Sequence, residues 1–238
     1  MATEGGERSG PREALLLLRR NGDFRRLYGA QLISYAGDWF ATVALLGLLF
    51  DITRSSALTV MVVFVQVIGF AILSPLGGYV ADRFDRRRLM IVVDLVRTVL
   101  ALGLLLIDSA SGVWFALLLV GVMTGLGAFF EPAATAAVPN LVDAEELPAA
   151  NVLVGAAWGT MLAVGGALGG VVAATLGRDA AFIGNALSFF MSALLVMGIR
   201  RRLAEERDPS RPEAGVVAAV VETLRYARRD HRVLALLV

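Results

Sequence analysis

The segment GGYVADRFDRRRLM, residues 77–90, places six charged side chains within seven consecutive positions, between two long apolar stretches. On its N-terminal side, residues 55–81 carry no charge, and on its C-terminal side residues 89–107 carry only Asp94 and Arg97. A helix needs about 20 apolar residues to cross the hydrocarbon core of a bilayer. The pattern therefore predicts a charged turn between two membrane-spanning helices; the alternative is an ordinary basic loop that only fixes topology.

The composition of the whole chain indicates a membrane protein. Its 238 residues are 57% hydrophobic and have a mean hydropathy of +0.71, whereas soluble domains are typically about 45–50% apolar. The predicted fold class is an all-α membrane protein with six transmembrane helices, because six apolar stretches have spanning length. These stretches are 28–50, 57–80, 89–107, 113–130, 151–176 and 180–199.

The basic residues predict which side of the membrane each segment occupies. All 22 are arginine; with the N-terminus inside, 19 lie in inner segments and only Arg54 and Arg178 lie in outer turns. By the positive-inside rule, both ends of the chain are expected in the cytoplasm. The expected location of the bundle is the plasma membrane, and the expected source is a bacterium. Arginines next to apolar spans favour the lipid bilayer as their partner, rather than nucleic acid.

This topology predicts four segments along the chain. A cytoplasmic N-terminal segment at 1–27 precedes the six-helix bundle at 28–199, whose inner loop at 131–150 is acidic and should be broken by its prolines. A cytoplasmic linker with an amphipathic helix follows at 200–232, because apolar residues recur there at helical spacing. The last six residues, 233–238, are apolar and resemble the start of a truncated seventh span.

The residue inventory excludes several kinds of chemistry. Without lysine the chain has no phosphate-loop lysine, so an ATP-driven exporter would need a separate ATPase subunit. The only histidine, His231, follows the sixth span, so a Ser–His pair cannot form within the bilayer. With no cysteine and one histidine, we expect neither a metal site nor a cofactor, and no enzymatic activity.

Asp38 lies at the centre of the first predicted span, where a charge costs about 2.5–3.5 kcal/mol on insertion scales. Polar residues recur around it at helical spacing and predict a stripe that faces a wet cavity rather than lipid: Gln31, Ser34, Tyr35, Asp38 and Thr42. A desolvated carboxyl group can exchange protons near neutral pH. Asp38, with Gln31 and Tyr35, is therefore the candidate for proton or substrate coupling. The alternative is an aspartate that only locks the first span to a neighbour.

Asp94 and Arg97 lie three residues apart in the third predicted span, so their side chains can pair on one helix face. The simpler interpretation is a local ion pair in which each charge offsets the other. The functional alternative is that either residue exchanges partners with Asp82 or Arg83 as the helices move.

Small residues dominate one part of the fifth predicted span: Gly165, Gly166, Gly169 and Gly170. Such residues allow two helices to approach closely. Packing is a sufficient explanation for them, and a bendable gate is the alternative.

The charged turn resembles the Gly-x-Leu-Ala-Asp-Arg-x-Gly-Arg-Arg signature of the major facilitator superfamily. Further stretches are similar to its macrolide-efflux and enterobactin-exporter branch: NGDFRRL (21–27), GDW (37–39), FFEPA (129–133), ELPAAN (146–151) and NALSF (185–189). The resemblance implies the N-terminal bundle of that fold, built from two inverted repeats of three helices. No residue-level repeat is visible in the sequence.

The resemblance also implies roles for particular residues. Five residues match the charged-turn signature and would form a cytoplasmic gate, joined by Asp94 and Arg97: Gly78, Asp82, Arg83, Arg86 and Arg87. Asp85 stands where the signature has glycine, which argues against a turn that relies on positive φ there. Residues 165–170 resemble the Gly-Pro-x-x-Gly-Gly antiporter signature, although Gly166 replaces the proline and removes its fixed kink.

The implied function is proton-coupled efflux of amphipathic small molecules, of the drug or siderophore type, by alternating access. Its partners would be the small-molecule substrate, protons, the lipid bilayer and a C-terminal six-helix half that this chain lacks. The alternative is a non-transporting six-helix half, or a membrane scaffold, that acts only with a second half or as a dimer.

Overall fold

The computed structural model describes residues 11–203, and within them the chain forms seven α-helices and no strand. The helices are α1 (Pro11–Arg20), α2 (Gly22–Thr53), α3 (Ser56–Arg83), α4 (Arg86–Gly103), α5 (Val113–Ala137), α6 (Leu147–Thr175) and α7 (Arg178–Met197). Short 3-10 turns occupy Leu104–Leu106, Ala110–Gly112, Val138–Asn140 and Ala144–Glu146. The predicted amphipathic linker helix and the seventh span lie outside the described residues.

The six-span prediction is confirmed, since α2 to α7 are all long and apolar enough to cross a membrane. α2 to α6 each extend beyond the predicted apolar stretch at the end of the bundle where the charged turn lies. α2 begins at Gly22 because the Asn21 side chain caps it by accepting a hydrogen bond from the Phe24 amide at 2.9 Å. Hydropathy does not detect such polar first turns.

α5 corrects one expectation, because its last residues, 131–137, fall in the stretch for which the prolines predict a broken inner loop. The structure continues α5 through Pro132 to Ala137. Proline leaves the carbonyl four residues earlier, that of Ala128, without its helical N–H donor. That carbonyl faces Gly77 of α3, where an added Cβ would lie 1.8 Å from the oxygen. The close approach of α3 thus covers the carbonyl that the proline leaves free.

The helix contacts show the two-repeat arrangement that the sequence does not reveal. α2 packs against α6 and α7, α3 packs mainly against α5, and α4 packs against α5 and α7. If α2, α3 and α4 exchange places with α5, α6 and α7, respectively, the same pairs of helices are in contact. Each repeat has an odd number of spans, so the second is inverted relative to the first, as in the major facilitator fold.

The interior of the bundle has a polar layer between two apolar clusters. One cluster includes Phe24 of α2 and Met90 of α4, and the other includes Leu45 of α2 and Leu104 beyond α4. Between them along the helices lie most of the buried polar side chains: Gln31, Ser34, Asp94, Arg97, Asn185, Ser188 and Ser192. The apolar clusters therefore provide the packing, and the layer between them contains the polar and charged side chains.

Candidate functional site

The centre of the polar layer is an ion pair between α2 and α4. Nη2 of Arg97 donates to both carboxylate oxygens of Asp38, at 2.7 and 2.8 Å, and Nη1 donates to the Ser34 hydroxyl at 3.2 Å. The guanidinium also lies over the Phe189 ring of α7, 3.9 Å from its centroid. Arg97 is 4% exposed, whereas 36% of the Asp38 side chain is exposed. The pair thus joins a buried cation to a carboxylate that opens onto the surface of the bundle.

The Asp38–Arg97 pair connects two helices that share almost no backbone contact, since α2 and α4 are separated by α5 and α7. The sequence assigned Asp38 to coupling and Arg97 to the gate, and the structure brings the two together. If Asp38 locks the first span to a neighbouring helix, that helix is α4 and the residue that Asp38 binds is Arg97.

Asp94 is the second carboxylate near Arg97. It is fully buried, and its Oδ1 lies 3.9 Å from Nη1 of Arg97. The predicted local pair is therefore present, but it is longer than the contact with Asp38. Neither carboxylate oxygen of Asp94 has a hydrogen-bond partner among the described residues. Arg97 thus has one close carboxylate partner, Asp38, and one more distant partner, Asp94.

Glu131 belongs to the same layer, although the sequence pattern places it in the inner loop. It lies on α5, and the Tyr35 hydroxyl of α2 donates a hydrogen bond to its Oε2. Both side chains are half-buried. The signal that could have identified it is the FFEPA stretch, in which Glu131 follows an apolar run without a break. The nearby Pro132 obscured that signal.

The rest of the α2 stripe also faces other helices. The Thr42 hydroxyl accepts a hydrogen bond from Gln66 of α3 at 3.0 Å. Gln31 is completely buried, and neither polar atom of its side chain has a hydrogen-bond partner within residues 11–203; the same holds for the side chain of Asn185 of α7. A buried amide without a partner is unfavourable by about 1–3 kcal/mol. The layer therefore has hydrogen-bonding capacity that water or a solute would fill.

The charged turn forms a separate site at the end of the bundle. Asp85 caps α4 by accepting a hydrogen bond from the Arg88 amide at 2.8 Å. Phe84 and Asp85 have φ values of −105° and −61°, so the turn does not use positive φ. Asp82 is 73% exposed and lies 3.7 Å from Arg86, while Arg83 lies over the Tyr79 ring. These residues do not reach Arg97, whose carboxylate partners are Asp38 and Asp94.

Two arginines of the turn bind the segment that follows α7. Arg86 donates to the carbonyl oxygens of Ala136 at 2.8 Å and Leu203 at 3.1 Å. Arg87 donates to the Arg201 carbonyl at 2.7 Å. From the start of α2, the Asp23 carboxylate accepts hydrogen bonds from the amides of residues 200 and 201, at 3.2 and 2.9 Å. The turn therefore helps to hold the chain where it leaves the sixth span.

The glycines that match the charged-turn signature and the antiporter signature occupy different environments in the structure. A Cβ on Gly169 would lie 2.8 Å from Cα of Phe40, so α6 and α2 are in close contact there. Gly165 lies on the same interface, because a Cβ added to it would lie 3.2 Å from the Cα of Ala36. A Cβ added to Gly170 would contact only the Val43 side chain, at 3.9 Å. Gly166 and Gly78 have no atom within 4 Å of an added Cβ. Two of the four α6 glycines thus serve helix packing.

An apolar groove of about 440 Å³ lies between α3 and α5. Its lining is Leu73, Leu117, Leu118, Gly121, Val122, Gly125, Leu126 and Phe129. At 100° per residue, Glu131 lies about 130° around α5 from the centre of the groove face. The groove is therefore separate from the polar layer and suits a lipid chain.

Comparisons with known proteins agree with this architecture. Residues 17–238 match the family described as transmembrane secretion effector. YfiS of Bacillus subtilis, described as an uncharacterized MFS-type transporter, is 25% identical over 90% of this chain and 51% of its own length. The putative bacilysin exporter BacE of Bacillus subtilis is 28% identical over 79% of this chain and 46% of its length. The multidrug efflux pump Tap of Mycolicibacterium fortuitum is 29% identical over 83% and 50%. The chain spans about half the length of these relatives.

Proposed function

This chain belongs to the transmembrane secretion effector family of major facilitator transporters, and on that premise we propose that it forms one half of a proton-coupled exporter of amphipathic small molecules. The names of its relatives, which include exporters and efflux pumps, support the outward direction. The polar layer between apolar clusters supports amphipathic substrates, because it offers polar contacts inside an apolar bundle. The active protein would alternate access between this bundle and a second six-helix half.

The observation that carries the proposal is the Asp38–Arg97 pair. Asp38 is accessible enough to bind a proton, and Arg97 is buried beside it. A proton on Asp38 removes the negative charge that holds Arg97, and Asp94, 3.9 Å away, then becomes its charged partner. Because α2 and α4 share almost no backbone contact, this exchange would change their connection. Proton binding is thereby coupled to helix movement.

The driving force is adequate for an exporter. Moving one elementary charge across 100 mV is worth about 2.3 kcal/mol. Since 1.4 kcal/mol corresponds to a factor of ten, one proton can support roughly a fifty-fold substrate gradient.

The charged turn would form the cytoplasmic gate of the same transporter. In this proposal Asp82, Arg83, Arg86 and Arg87 lie on the inner face with both chain ends. Gly78, which has open space beside it, would face the second half. The positive-inside distribution of arginine supports this orientation.

The proposal is tested in a transporter that contains this bundle and a second six-helix half, by replacing Asp38 with asparagine and measuring proton-driven uptake of amphipathic dyes by everted membrane vesicles. We expect Asp38→Asn to abolish dye movement while the amount of protein in the membrane stays unchanged. Asp51→Asn is the matched control, because Asp51 is 60% exposed at the far end of the same helix. Undiminished transport by Asp38→Asn would refute the coupling role. If the wild-type chain moves no dye even when a second six-helix half is present, the result favours the non-transporting scaffold.

A further inference from the structure

We propose that α1, the helix Pro11–Arg20, binds anionic phospholipid headgroups at the membrane surface on the charged-turn side of the bundle. This helix belongs neither to the polar layer nor to the charged turn, and the inference does not depend on the proposed export function. The sequence pattern predicts only a cytoplasmic segment there, whereas the structure has a helix with two distinct faces.

The bundle face of α1 is apolar and determines where the helix lies. Ala14 and Leu17 on this face are only 4% and 3% exposed. Leu17 belongs to the apolar cluster that also contains Ala81 and Met90, which lie on either side of the charged turn, and Leu18 packs against that cluster. α1 also contacts α6 and α2. The helix therefore lies at the charged-turn end of the bundle.

The junction between α1 and α2 keeps α1 separate from the first span. Asn21, between the two helices, has an extended backbone with φ −103° and ψ 98°, so α2 does not continue α1. Its Nδ2 donates a hydrogen bond to the Leu141 carbonyl at 2.6 Å, which ties the junction to the segment between α5 and α6. α1 is thus held next to the polar first turn of α2 and is not an extension of the span.

The opposite face of α1 combines two exposed leucines with arginines. Leu15 and Leu16 are 61% and 40% exposed. At about 100° per residue, Arg12 and Arg19 both fall between these two leucines around the helix, and Arg20 lies about 40° beyond Leu16. All three arginines are exposed. Apolar and cationic side chains therefore share one outward face.

The arginines of this face have no counter-charge in the described part of the protein. Glu13 is the only acidic residue of α1, and within residues 11–203 none of the three arginines forms a salt bridge. Arg25 of α2 adds an exposed guanidinium beside them, since its Nη1 donates to the Leu18 carbonyl at 3.3 Å. The face is therefore positive and complements an anionic surface.

Leu15 and Leu16 decide the kind of anion. A soluble anion would neutralise the arginines but would leave both leucines in water. At a bilayer surface the leucines enter the boundary between headgroups and acyl chains, while the long arginine side chains place their guanidinium groups at the phosphates. A zwitterionic surface would cover the leucines equally well, so the arginines provide the preference for anionic lipids.

Energy transfer from α1 to labelled lipids measures this preference. The chain contains no cysteine, so Glu13→Cys places a single donor fluorophore at the edge of the exposed face. The purified full chain is reconstituted into phosphatidylcholine bilayers with traces of phosphatidylglycerol or phosphatidylcholine that carry an acceptor on the acyl chain. We expect phosphatidylglycerol to be enriched about five-fold beside position 13, which corresponds to about 1 kcal/mol. A donor at Ser111→Cys, in the turn at the opposite end of the bundle, should detect no enrichment.

Variants in the Glu13→Cys background separate the charges from the apolar contact. Arg12→Gln/Arg19→Gln should reduce the enrichment to less than about two-fold, whereas Arg12→Lys/Arg19→Lys should retain most of it. Leu15→Gln/Leu16→Gln should weaken energy transfer to both lipids, because α1 then loses its apolar contact with the bilayer. Glutamine is a good helix former and these side chains are exposed, so helical content and thermal stability, measured in parallel, should match the parent protein.

Arg88→Gln/Arg200→Gln is the matched control, because it removes two exposed arginines from the same end of the bundle without changing α1. It should leave the lipid preference unchanged. The inference is overturned if position 13 transfers energy equally to the two lipids, or if the control loses the preference as completely as Arg12→Gln/Arg19→Gln does. Inorganic phosphate, added at constant ionic strength, should not compete with the lipid. Competition by phosphate would assign the arginines to a soluble anion and would also overturn the inference.

Discussion

The Arg97 guanidinium reaches across the polar layer to both carboxylate oxygens of Asp38, at 2.7 and 2.8 Å, and so joins α4 to α2. The two residues are 59 positions apart in the sequence, and their helices share almost no backbone contact. Most neighbouring helices here are held by apolar packing, whereas α2 and α4 are connected mainly through Arg97, which binds both Asp38 and Ser34. The strength of this connection should therefore affect both stability and the relative position of the two helices.

Breaking the ion pair from the arginine side should destabilise the protein. Arg97→Met leaves two carboxylates without their cation. We expect the free energy of unfolding to fall by about 2 kcal/mol, between the effects of exposed and buried pairs, because Asp38 is partly exposed. Unfolding in detergent, followed by circular dichroism during titration with sodium dodecyl sulfate, measures the change.

The control for this prediction is Arg178→Met, which removes the exposed Arg178–Asp51 contact at 3.5 Å. It should lower the unfolding free energy by less than about 1 kcal/mol. The double variant Asp38→Asn/Arg97→Met should be less destabilised than the sum of its single variants. Strict additivity would show that the pair has no energetic coupling.

Adjacent glycines in the charged turn region should respond very differently to alanine. The added methyl group of Gly77→Ala would lie 1.8 Å from the Ala128 carbonyl oxygen, and backbone cannot move aside cheaply. We expect a loss of about 2 kcal/mol in unfolding free energy. Gly78→Ala has nothing within 4 Å of its methyl group and should be nearly neutral. Equal stability of the two variants in thermal unfolding would contradict the close approach of α3 to α5.

The sequence predicted the parts of the fold that depend on local periodicity. Apolar runs of spanning length predicted all six spans, and helical spacing placed Asp38, Tyr35 and Gln31 on one face of the first. Both kinds of prediction follow from the geometry of a single helix, with 3.6 residues per turn. The helix cap at Asp85 is also a local feature. Aspartate stands there in place of the glycine of the signature, which agrees with a turn that has no positive φ.

Contacts between helices could not be predicted in the same way. The sequence pairs Arg97 with Asp94 because a helix brings residues three apart together, yet the closer partner of Arg97 comes from another helix. It places Glu131 in a loop because proline usually breaks helices; here α3 packs against the carbonyl that Pro132 leaves free. Such outcomes depend on the arrangement of six helices, which no single segment contains.

Loss of the Asp23 carboxylate should loosen the segment that leaves the sixth span. Asp23 accepts two backbone hydrogen bonds from residues 200 and 201. Removing them in Asp23→Ala should raise the trypsin cleavage rate at the Arg200–Arg201 bond by about five-fold, if the two bonds together contribute about 1 kcal/mol. Mass spectrometry of timed digests in detergent measures that bond separately.

The proteolysis control is Asp51→Ala, whose carboxylate is 60% exposed at the opposite end of α2. It should leave the cleavage rate unchanged. If Asp23→Ala is cleaved no faster than the wild type, the arginine contacts from α4 are sufficient to hold the segment, and the role given to Asp23 is wrong.

The proposed orientation predicts which residues a membrane-impermeant thiol reagent reaches from outside the cell. The chain contains no cysteine, so single cysteines can be introduced without a background. Ser111→Cys, in the exposed turn between α4 and α5, should react with an impermeant maleimide in intact cells. Arg88→Cys, exposed beside the charged turn, should react only after the cells are opened. The physical reason is that arginine-rich segments stay inside during insertion. Labelling of position 88 in intact cells, with position 111 protected, would reverse the orientation and place the charged turn outside, where it could not be a cytoplasmic gate.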